Sequence, residues 1–495
     1  MPKKHRVVIV GGGIAGLSAC LELAHQGLDV TLIDQGVEVG GKIRQLQSQE
    51  LGIDSGPTVF TMRWVFEELF KACDESFDLH IKSTPLPILA RHFWGQEKLD
   101  LFADPSLSTQ AIREFSNAKQ AELFLKFCQT TKNVYESLES SYICAKRPTL
   151  TSMLKGLGLK GSKTLMGIGP FKNLWDALEY YFPDPRLRQL FARYATYCGS
   201  SPFLAPATLM LIAHVELQGV WSVDGGMIQI PKKIAELAIS RGAKIIHSET
   251  IEKITITNHQ ATGVTLSDQT FLPADSIIFN GDVSALYDGL LGDDVKSAVP
   301  KSPTGRSLSA ITWSVSTSGI TLPLTRHNVF FDQEYANEFK DIFHLQTFPK
   351  TPTVYLCAQD RLNNETAPDL ERMLLLVNAP AIGDSHPNPS EISRCQDQVQ
   401  TLLSKSGLTL DLSSPATVRT TPWDFHQRFP ATGGALYGMA THGWMSSFNR
   451  PSSQSSIRNL YLAGGSVHPG PGVPMATLSG RMAAATLMEN LALTK

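Results

Sequence analysis

The sequence predicts an α/β fold in which one parallel-stranded domain is assembled from the beginning, the middle and the end of the chain. An α+β domain is interleaved between those segments. Three stretches predict this. Residues 6–34, RVVIVGGGIAGLSACLELAHQGLDVTLID, read as strand, glycine turn, helix and strand. Residues 222–285 return to strand-forming alternation after a Gly225-Gly226 turn. Residues 459–491 run from a short apolar strand through a loop rich in proline and glycine into a helical pattern.

In the first stretch, Val7 to Val10 is apolar and β-branched, a strand signal, and it ends at Gly11, Gly13 and Gly16 spaced G-x-G-x-x-G. Leu17, Cys20, Leu21, Leu23 and Ala24 follow with helical period. A second apolar run, Val30 to Ile33, closes on Asp34, and 34 − 16 = 18 residues separate it from Gly16. Gly11 permits the tight turn, Gly13 lets the backbone approach a pyrophosphate, and Gly16 lets helix and strand pack closely. The free N–H groups and the helix dipole face the anion, and Asp34 can accept from ribose hydroxyls. A glycine-rich turn in any α/β protein needs no acid in register. The spacing to Asp34 therefore makes this a Rossmann-like dinucleotide fingerprint.

At 495 residues the chain exceeds what one hydrophobic core usually serves, so two domains are expected. Lys and Arg number 44 against 46 Asp and Glu, with no long block of one sign, so nothing electrostatic favours a nucleic-acid partner. The seven cysteines are odd in number and scattered without a C-x-x-C pair, which argues against a disulfide framework and fits a reducing cytoplasm. No metal site is expected. The apolar run at the start is too short for a signal-peptide core, and no stretch approaches 18 uninterrupted apolar residues, so no membrane-spanning helix is expected.

After Asp34 come Gly40-Gly41-Lys42 and a Gly56-Pro57-Thr58 turn, neither of which a plain NAD domain needs. Trp64 to about Ser140 is mostly helical, interrupted by Pro85, Pro87 and Pro105 and by a strand pair around His92 to Phe102. Asn173 to Phe191 and Ala207 to Gln218 carry aromatic and aliphatic residues at helical spacing. With Tyr194, Tyr197 and Trp221 they either line a long apolar cavity or are ordinary core helices. A helix from about Ile228 to Ser240, ended by Gly242, precedes strands at Lys244 to Ile246, Ile251 to Ile256 and Leu272 to Asn280. Further strands are expected at Leu308 to Val315, Thr353 to Ala358 and Met373 to Asn378, and a helix near Glu391 to Leu403. Asp384 to Ser393 and Ser452 to Ser456 read as polar loops. Asn459 to Gly465 is a buried strand, Ser466 to Pro474 a rigid loop, and Met475 to Leu491 a helix. The nucleotide domain is thus expected at residues 1–75, 222–285 and 421–495, and a substrate domain at 76–221 and 286–420.

These motifs carry a resemblance. VVIVGGGIAGLSAC, GGKIR, IDSGPTVF, GVWSVDGGM, FPATGGALYGMATHGWMSSFNRP and NLYLAGGSVHPGPGVPMATLSGRMAA together resemble bacterial-type carotenoid desaturases of the phytoene-desaturase superfamily. They belong to the same flavoprotein group as the amine oxidases, and the ending looks most like the 1-hydroxycarotenoid 3,4-desaturases. The resemblance implies FAD as cofactor. Gly11, Gly13, Gly16 and Asp34 would hold its ADP half, with Gly41 and Lys42 beside them. Asp34 stands where many members carry Glu, and Lys42 where many carry Arg, so a bidentate phosphate contact is not carried over. Gly56, Pro57 and Thr58 would lie near the isoalloxazine, Ile251 would offer backbone contacts to the adenine side, and Gly465 and Met475 would meet the ribityl and pyrimidine parts. A helix starting at Met475 would stabilise negative charge on the flavin as it is reduced.

The implied reaction introduces a C=C bond into an acyclic carotenoid bearing a 1-hydroxy or 1-methoxy end, with hydride passing to the flavin. The terminal electron acceptor is left open between oxygen and a quinone. Beside a polyene the developing cation is delocalised, so a weak base and orientation in a dry tunnel suffice. His468 is the candidate base, since it sits in the loop expected at the flavin; alternatively it shapes that turn. His442 and Asp224 are secondary candidates, because their neighbours Gly443 and Gly225 make turn roles equally apt. A bilayer-dwelling substrate implies peripheral membrane contact, expected between Trp175 and Trp221. Competing readings are a phytoene or other carotene desaturase, an isomerase using reduced FAD, a protein in which FAD is only structural, and a flavin amine oxidase. The last often bonds a cysteine to its flavin, and the closing motif has none.

Overall fold

The computed structural model describes residues 4–149, 151–153, 155, 156, 161, 166–169, 171–299, 305–362, 368–385 and 388–493. Along the chain, the elements that position the site are β1 (Arg6–Val10), α1 (Ile14–His25), β2 (Asp29–Ile33), β3 (Ile88–Trp94), β4 (Glu97–Phe102), α2 (Ala118–Leu138) and α3 (Pro185–Ala192). Then come α4 (Gln229–Ser240), β5 (Lys244–Ile246), β6 (Ser276–Phe279), β7 (Ser309–Thr317), β8 (His327–Phe330), β9 (Val354–Ala358) and β10 (Glu371–Ala379). Last are α5 (Pro389–Lys405), β11 (Val418–Thr420), β12 (Leu460–Leu462) and α6 (Val473–Leu493).

Five strands form a parallel sheet in the order β12-β6-β1-β2-β5. The order reverses between β1 and β6, and ligands of open parallel sheets bind at the carboxyl ends of the strands flanking such a reversal. Leu17, Leu21, Ile230, Ile234, Met482 and Leu487 pack α1, α4 and α6 into one core on this sheet. Helix α1 is buried on nearly every side, which is why its sequence is apolar and small throughout rather than amphipathic. The opposite face, through Val8, Ile33, Ile277 and Leu460, meets a three-stranded antiparallel layer spanning residues 251–273.

A second, seven-stranded sheet has the order β11-β7-β10-β9-β8-β3-β4. One face, with Trp313, Phe330, Leu356 and Leu375, buries the apolar side of α5 through Cys395, Val399 and Leu402. The other face, with Leu89, Leu99 and Val329, lies against α2 and α3 through Phe124, Phe127, Leu187 and Leu190. Strand alternation divides β8 in the same way: His327 and Val329 face the helices, Phe330 faces α5.

Several expectations are corrected. The run Leu272 to Asn280 is two strands, Phe271–Pro273 and β6, because the chain changes sheets at Asp275, whose carboxylate pairs with Arg6 at 2.7 Å. The loop expected over Asp384 to Ser393 gives way at Pro389 to α5, capped by the Asn388 side chain accepting from the Ser390 N–H; positions 386 and 387 lie outside the described residues. Strand β8 carries too short an apolar run to be expected from sequence; its pairing with β9 and β3 defines it. The aromatics of residues 173–191 are largely core: Phe182 stacks on Phe191 at 4.3 Å and both meet Phe127. Trp221 belongs elsewhere, edge-on to Phe60 beside the nucleotide-side core.

Candidate active site

A glycine-rich cradle forms where β1, β6 and β12 end. Gly11 sits at φ +100° and donates its N–H to the Ile33 carbonyl at 2.8 Å, so the turn after β1 is locked to β2. Helix α1 starts after Gly13 with no side-chain cap and no acid in its first turn, leaving its leading N–H groups for an anion. A Cβ on Gly16 would stand 2.2 Å from the Gly11 oxygen and 2.7 Å from Asn280 Nδ2. Asn280, directly after β6, donates to that same Gly11 oxygen at 3.0 Å. Its amide oxygen would lie 3.1 Å from a Cβ on Gly464, so one side chain ties together the turns after β1, β6 and β12.

Asp34 accepts from the Gly12 N–H and from the Gly36 N–H at 2.6 Å, which holds its carboxylate at the carboxyl end of β2. Its own carbonyl accepts from the Glu249 N–H at 3.1 Å, and Ile251, two residues on, packs with Val8 and Ile33. The second side of the cradle is Gly40-Gly41: the Gly40 N–H donates to the Gly12 oxygen at 2.9 Å, and a Cβ on Gly41 would be 3.2 Å from Gly13 Cα. Met475 stands in the first turn of α6. That helix crosses α1 with backbones touching, since a Cβ on Gly480 would be 2.0 Å from the Ala15 oxygen.

Two cations, Arg450 buried and Lys42 part-buried, stand between the cradle and the closing loop. Lys42 Nζ donates to the Leu436 carbonyl at 2.5 Å over the Phe429 ring, and burial lowers its pKa. Arg450 donates to the carbonyls of Met439 (2.8 Å), Gly465 (3.0 Å) and Tyr437 (3.3 Å), again with its pKa lowered by burial. Neither takes part in a carboxylate ion pair among the described residues. Positive charges answered by carbonyl dipoles, an aromatic ring and a hydroxyl but by no carboxylate ion pair fit an anionic ligand such as a dinucleotide diphosphate or a reduced flavin ring. The residues present therefore fit FAD. Sequence reasoning assigns Arg450 no role although it closes one of the family-like motifs, and it misses Asn280.

Beyond Lys42 the chain turns at Gly56, where a Cβ would be 1.9 Å from the Lys42 oxygen, and Pro57 leads to Thr58. Thr58 Oγ1 hydrogen-bonds Tyr355 Oη at 2.7 Å, and Tyr355 Oη hydrogen-bonds His327 Nδ1, also at 2.7 Å. Asp54 accepts from the Met227 N–H at 2.8 Å and from Gln45 at 3.0 Å; burial still raises its pKa. Asp224, by contrast, is exposed on the rim of a cavity of about 250 Å³ that Asp54, Arg326, Gln359 and Arg372 also line.

The candidate histidines are placed differently. His468 is buried edge-on to Tyr142 at 5.0 Å, with Nε2 unpartnered, and burial brings its pKa down to about 4. His442 accepts from the Ser201 N–H through Nε2 at 3.1 Å and packs on Phe343; its pKa also falls to about 4 through burial. That bond gives His442 a role in holding two loops together.

Fold, cradle and the two cations define a flavoprotein oxidoreductase. The chain belongs to the flavin-containing amine oxidoreductase family, whose pattern it matches over residues 14–488, and its cofactor is FAD. Within that class it is similar to the hydroxyneurosporene desaturase of Rubrivivax gelatinosus, with 53% identity over 99% of this chain and 94% of the relative. It is 38% identical to the hydroxyneurosporene desaturase of Cereibacter sphaeroides over 98% of both chains. A solved putrescine oxidase with bound putrescine shares the fold, with a TM-score of 0.64 at 14% identity over 98% of this chain and 99% of that one.

Proposed function

We propose that the chain is a carotenoid desaturase that introduces the 3,4 double bond into an acyclic carotenoid carrying a 1-hydroxy end. The observation that carries this reading is its 53% identity, over nearly the whole chain, to a hydroxyneurosporene desaturase. The likeness to amine oxidases, at 14% identity, speaks for the fold alone. FAD supplies a two-electron acceptor for the substrate hydride. The chain's part is to bind and orient. Gly11, Gly13, Gly16, Asp34, Gly41 and Ile251 would hold the ADP half, Lys42, Gly465 and Met475 would serve the middle and the pyrimidine part, and Gly56, Pro57 and Thr58 would lie near the reacting ring. His468 takes the departing proton. Its buried imidazole is neutral across the physiological range, and its unpartnered Nε2 suits a weak base acting on a delocalised cation.

Docking on a membrane surface belongs to this reading, because the substrate lives in the bilayer. No helix among the described residues is long and apolar enough to cross a membrane. Phe171 and Trp444, 75% and 45% exposed, meet edge-on at 5.4 Å, with the exposed Leu204 beside them and Lys172 adjacent in sequence. An apolar patch flanked by a cation suits an anionic leaflet. Product analysis after incubation with 1-hydroxy acyclic carotenoids, phytoene and primary amines tests the reaction: loss of hydrogen from the 3,4 bond is expected. Better use of phytoene rejects the branch assignment, and amine oxidation without polyene activity rejects the whole reading. Flotation with liposomes tests docking, and protein that stays in the soluble fraction rejects it.

A further inference from the structure

Between the seven-stranded sheet and α3, side chains that need hydrogen-bond partners are buried without them. Arg193 is 7% exposed, and only its Nη1 is engaged, with Tyr197 Oη at 3.1 Å; its Nε and Nη2 have no partner. Its guanidinium lies over the rings of Tyr194 and Tyr197, both of which donate to Glu216. His327, 2% exposed, has Nε2 unpartnered. Gln189, one turn before Arg193, accepts from Trp94 Nε1 on β3 at 2.9 Å, so this side of the helix faces the sheet, and the Arg193 charge acts on both His92 and His327 there. Val329 pairs with His92 in the register of β8 and β3, and His327 lies two residues before Val329 on that sheet face. Unpartnered buried donors are rare in folded proteins, and a guanidinium with two of them within electrostatic reach of an orphaned imidazole on the facing sheet marks a polar site.

We propose that Arg193 and His327 form the pocket for the tertiary hydroxyl at the end of the substrate, Arg193 donating to its oxygen and His327 Nε2 accepting its proton. The assignment rests on the carotenoid reading above and specifies how that substrate is recognised. The hydrogen-bond chain orients it: when His327 Nδ1–H donates to Tyr355 Oη, and Tyr355 donates to Thr58, Nε2 is left as a bare acceptor. Burial together with the Arg326 and Arg193 charges keeps that imidazole neutral. Thr58 belongs to the turn placed beside the flavin, and a 1-hydroxyl is only three bonds from C3. Recognition and reaction therefore share one wall. An alcohol satisfies both protein groups, a methyl ether satisfies only Arg193, and a hydrocarbon end satisfies neither. The pocket ranks the three in that order.

The test compares kcat/KM for matched 1-hydroxy, 1-methoxy and hydrocarbon-ended acyclic carotenoids in wild type, His327→Phe, Tyr355→Phe and Arg193→Lys, each checked for bound FAD. Wild type is expected to favour hydroxy over methoxy by about tenfold or more, since sites built to bond a hydroxyl reject analogues lacking it. His327→Phe and Tyr355→Phe should collapse the hydroxy-to-methoxy ratio, and Arg193→Lys the preference of both over the hydrocarbon, while turnover of the hydrocarbon end persists. Tyr355→Phe, nearly isosteric, serves if the other variants do not fold. FAD-loaded variants with unchanged ratios overturn the pocket and leave the desaturase reading standing. A wild type that desaturates all three ends equally overturns both the pocket and the 1-hydroxy assignment.

Discussion

Asn280 donates from Nδ2 to the carbonyl oxygen of Gly11 at 3.0 Å, across 269 residues of sequence. Its main-chain N–H donates to Val10 at 2.8 Å, so the side chain is aimed by the ladder between β1 and β6. The bond closes the crevice where the strand order reverses, and it fixes the tilt of the glycine turn before any ligand arrives. Asn280→Leu removes the donor and places a branched group against Gly16, where a Cβ would stand only 2.7 Å from Nδ2. FAD retention should fall and stability drop by about 1–3 kcal/mol, read from flavin content after gel filtration and from thermal melting.

Asp34→Ala withdraws the acceptor of two backbone N–H groups and, on the proposed reading, the partner of the ribose hydroxyls. FAD affinity is expected to weaken by about 1–3 kcal/mol, the cost of losing a charge-assisted hydrogen bond, measurable by titrating apoprotein with FAD and following flavin fluorescence.

Arg450→Met separates cofactor binding from folding. Removing its side chain takes the donor from the carbonyls of Tyr437, Met439 and Gly465, so apoprotein stability drops by about 1–3 kcal/mol, while the FAD-bound protein loses more because FAD affinity also falls at least tenfold. Equal losses in both would refute the role assigned to its charge. Denaturant midpoints with and without FAD supply the comparison.

Gly480→Ala probes the crossing of α6 on α1. A methyl group at 2.0 Å from the Ala15 oxygen forces the helices apart, and overpacking of that kind costs about 1–3 kcal/mol. The melting temperature should drop, and bound flavin with it, because both helix N-termini border the cradle.

His442 and His468 set a pH dependence of stability. Burial holds both at about 4 against an ordinary 6.5. As pH falls from 6.5 to 4 the unfolded chain takes up a proton at each site before the folded chain does, so stability is full above 6.5 and declines through that window. Urea midpoints at about pH 7 and about pH 5 should show the decline, and His442→Gln should lessen it without abolishing it, since buried His92 and His327 are lowered too. His468→Gln should also reduce kcat by about 100-fold if the imidazole is the base. In that case the kcat profile stays level down to about pH 5, since the imidazole is neutral until its pKa near 4.

Local periodicity and residue spacing encode part of this architecture directly. Glycines at 11, 13 and 16 after an apolar β-branched run can serve only a tight strand-to-helix turn, and Asp34 in register marks the end of the next strand. Helices and most strands follow from the same reasoning, because a period of 3.6 or 2 states which face is buried. It does not state what that face meets. Thr58 and Tyr355 are 297 residues apart, Arg193 and Glu216 meet only through two tyrosines, and Asn280 looks like any polar residue after a strand. Packing of distant segments is what pairs β8 in parallel with β3, which puts His92 and His327 on one sheet face, and what encloses Arg450 among carbonyls. A buried charge and a solvated one are written with the same residue. The difference is desolvation, and that exists only once the segments have packed.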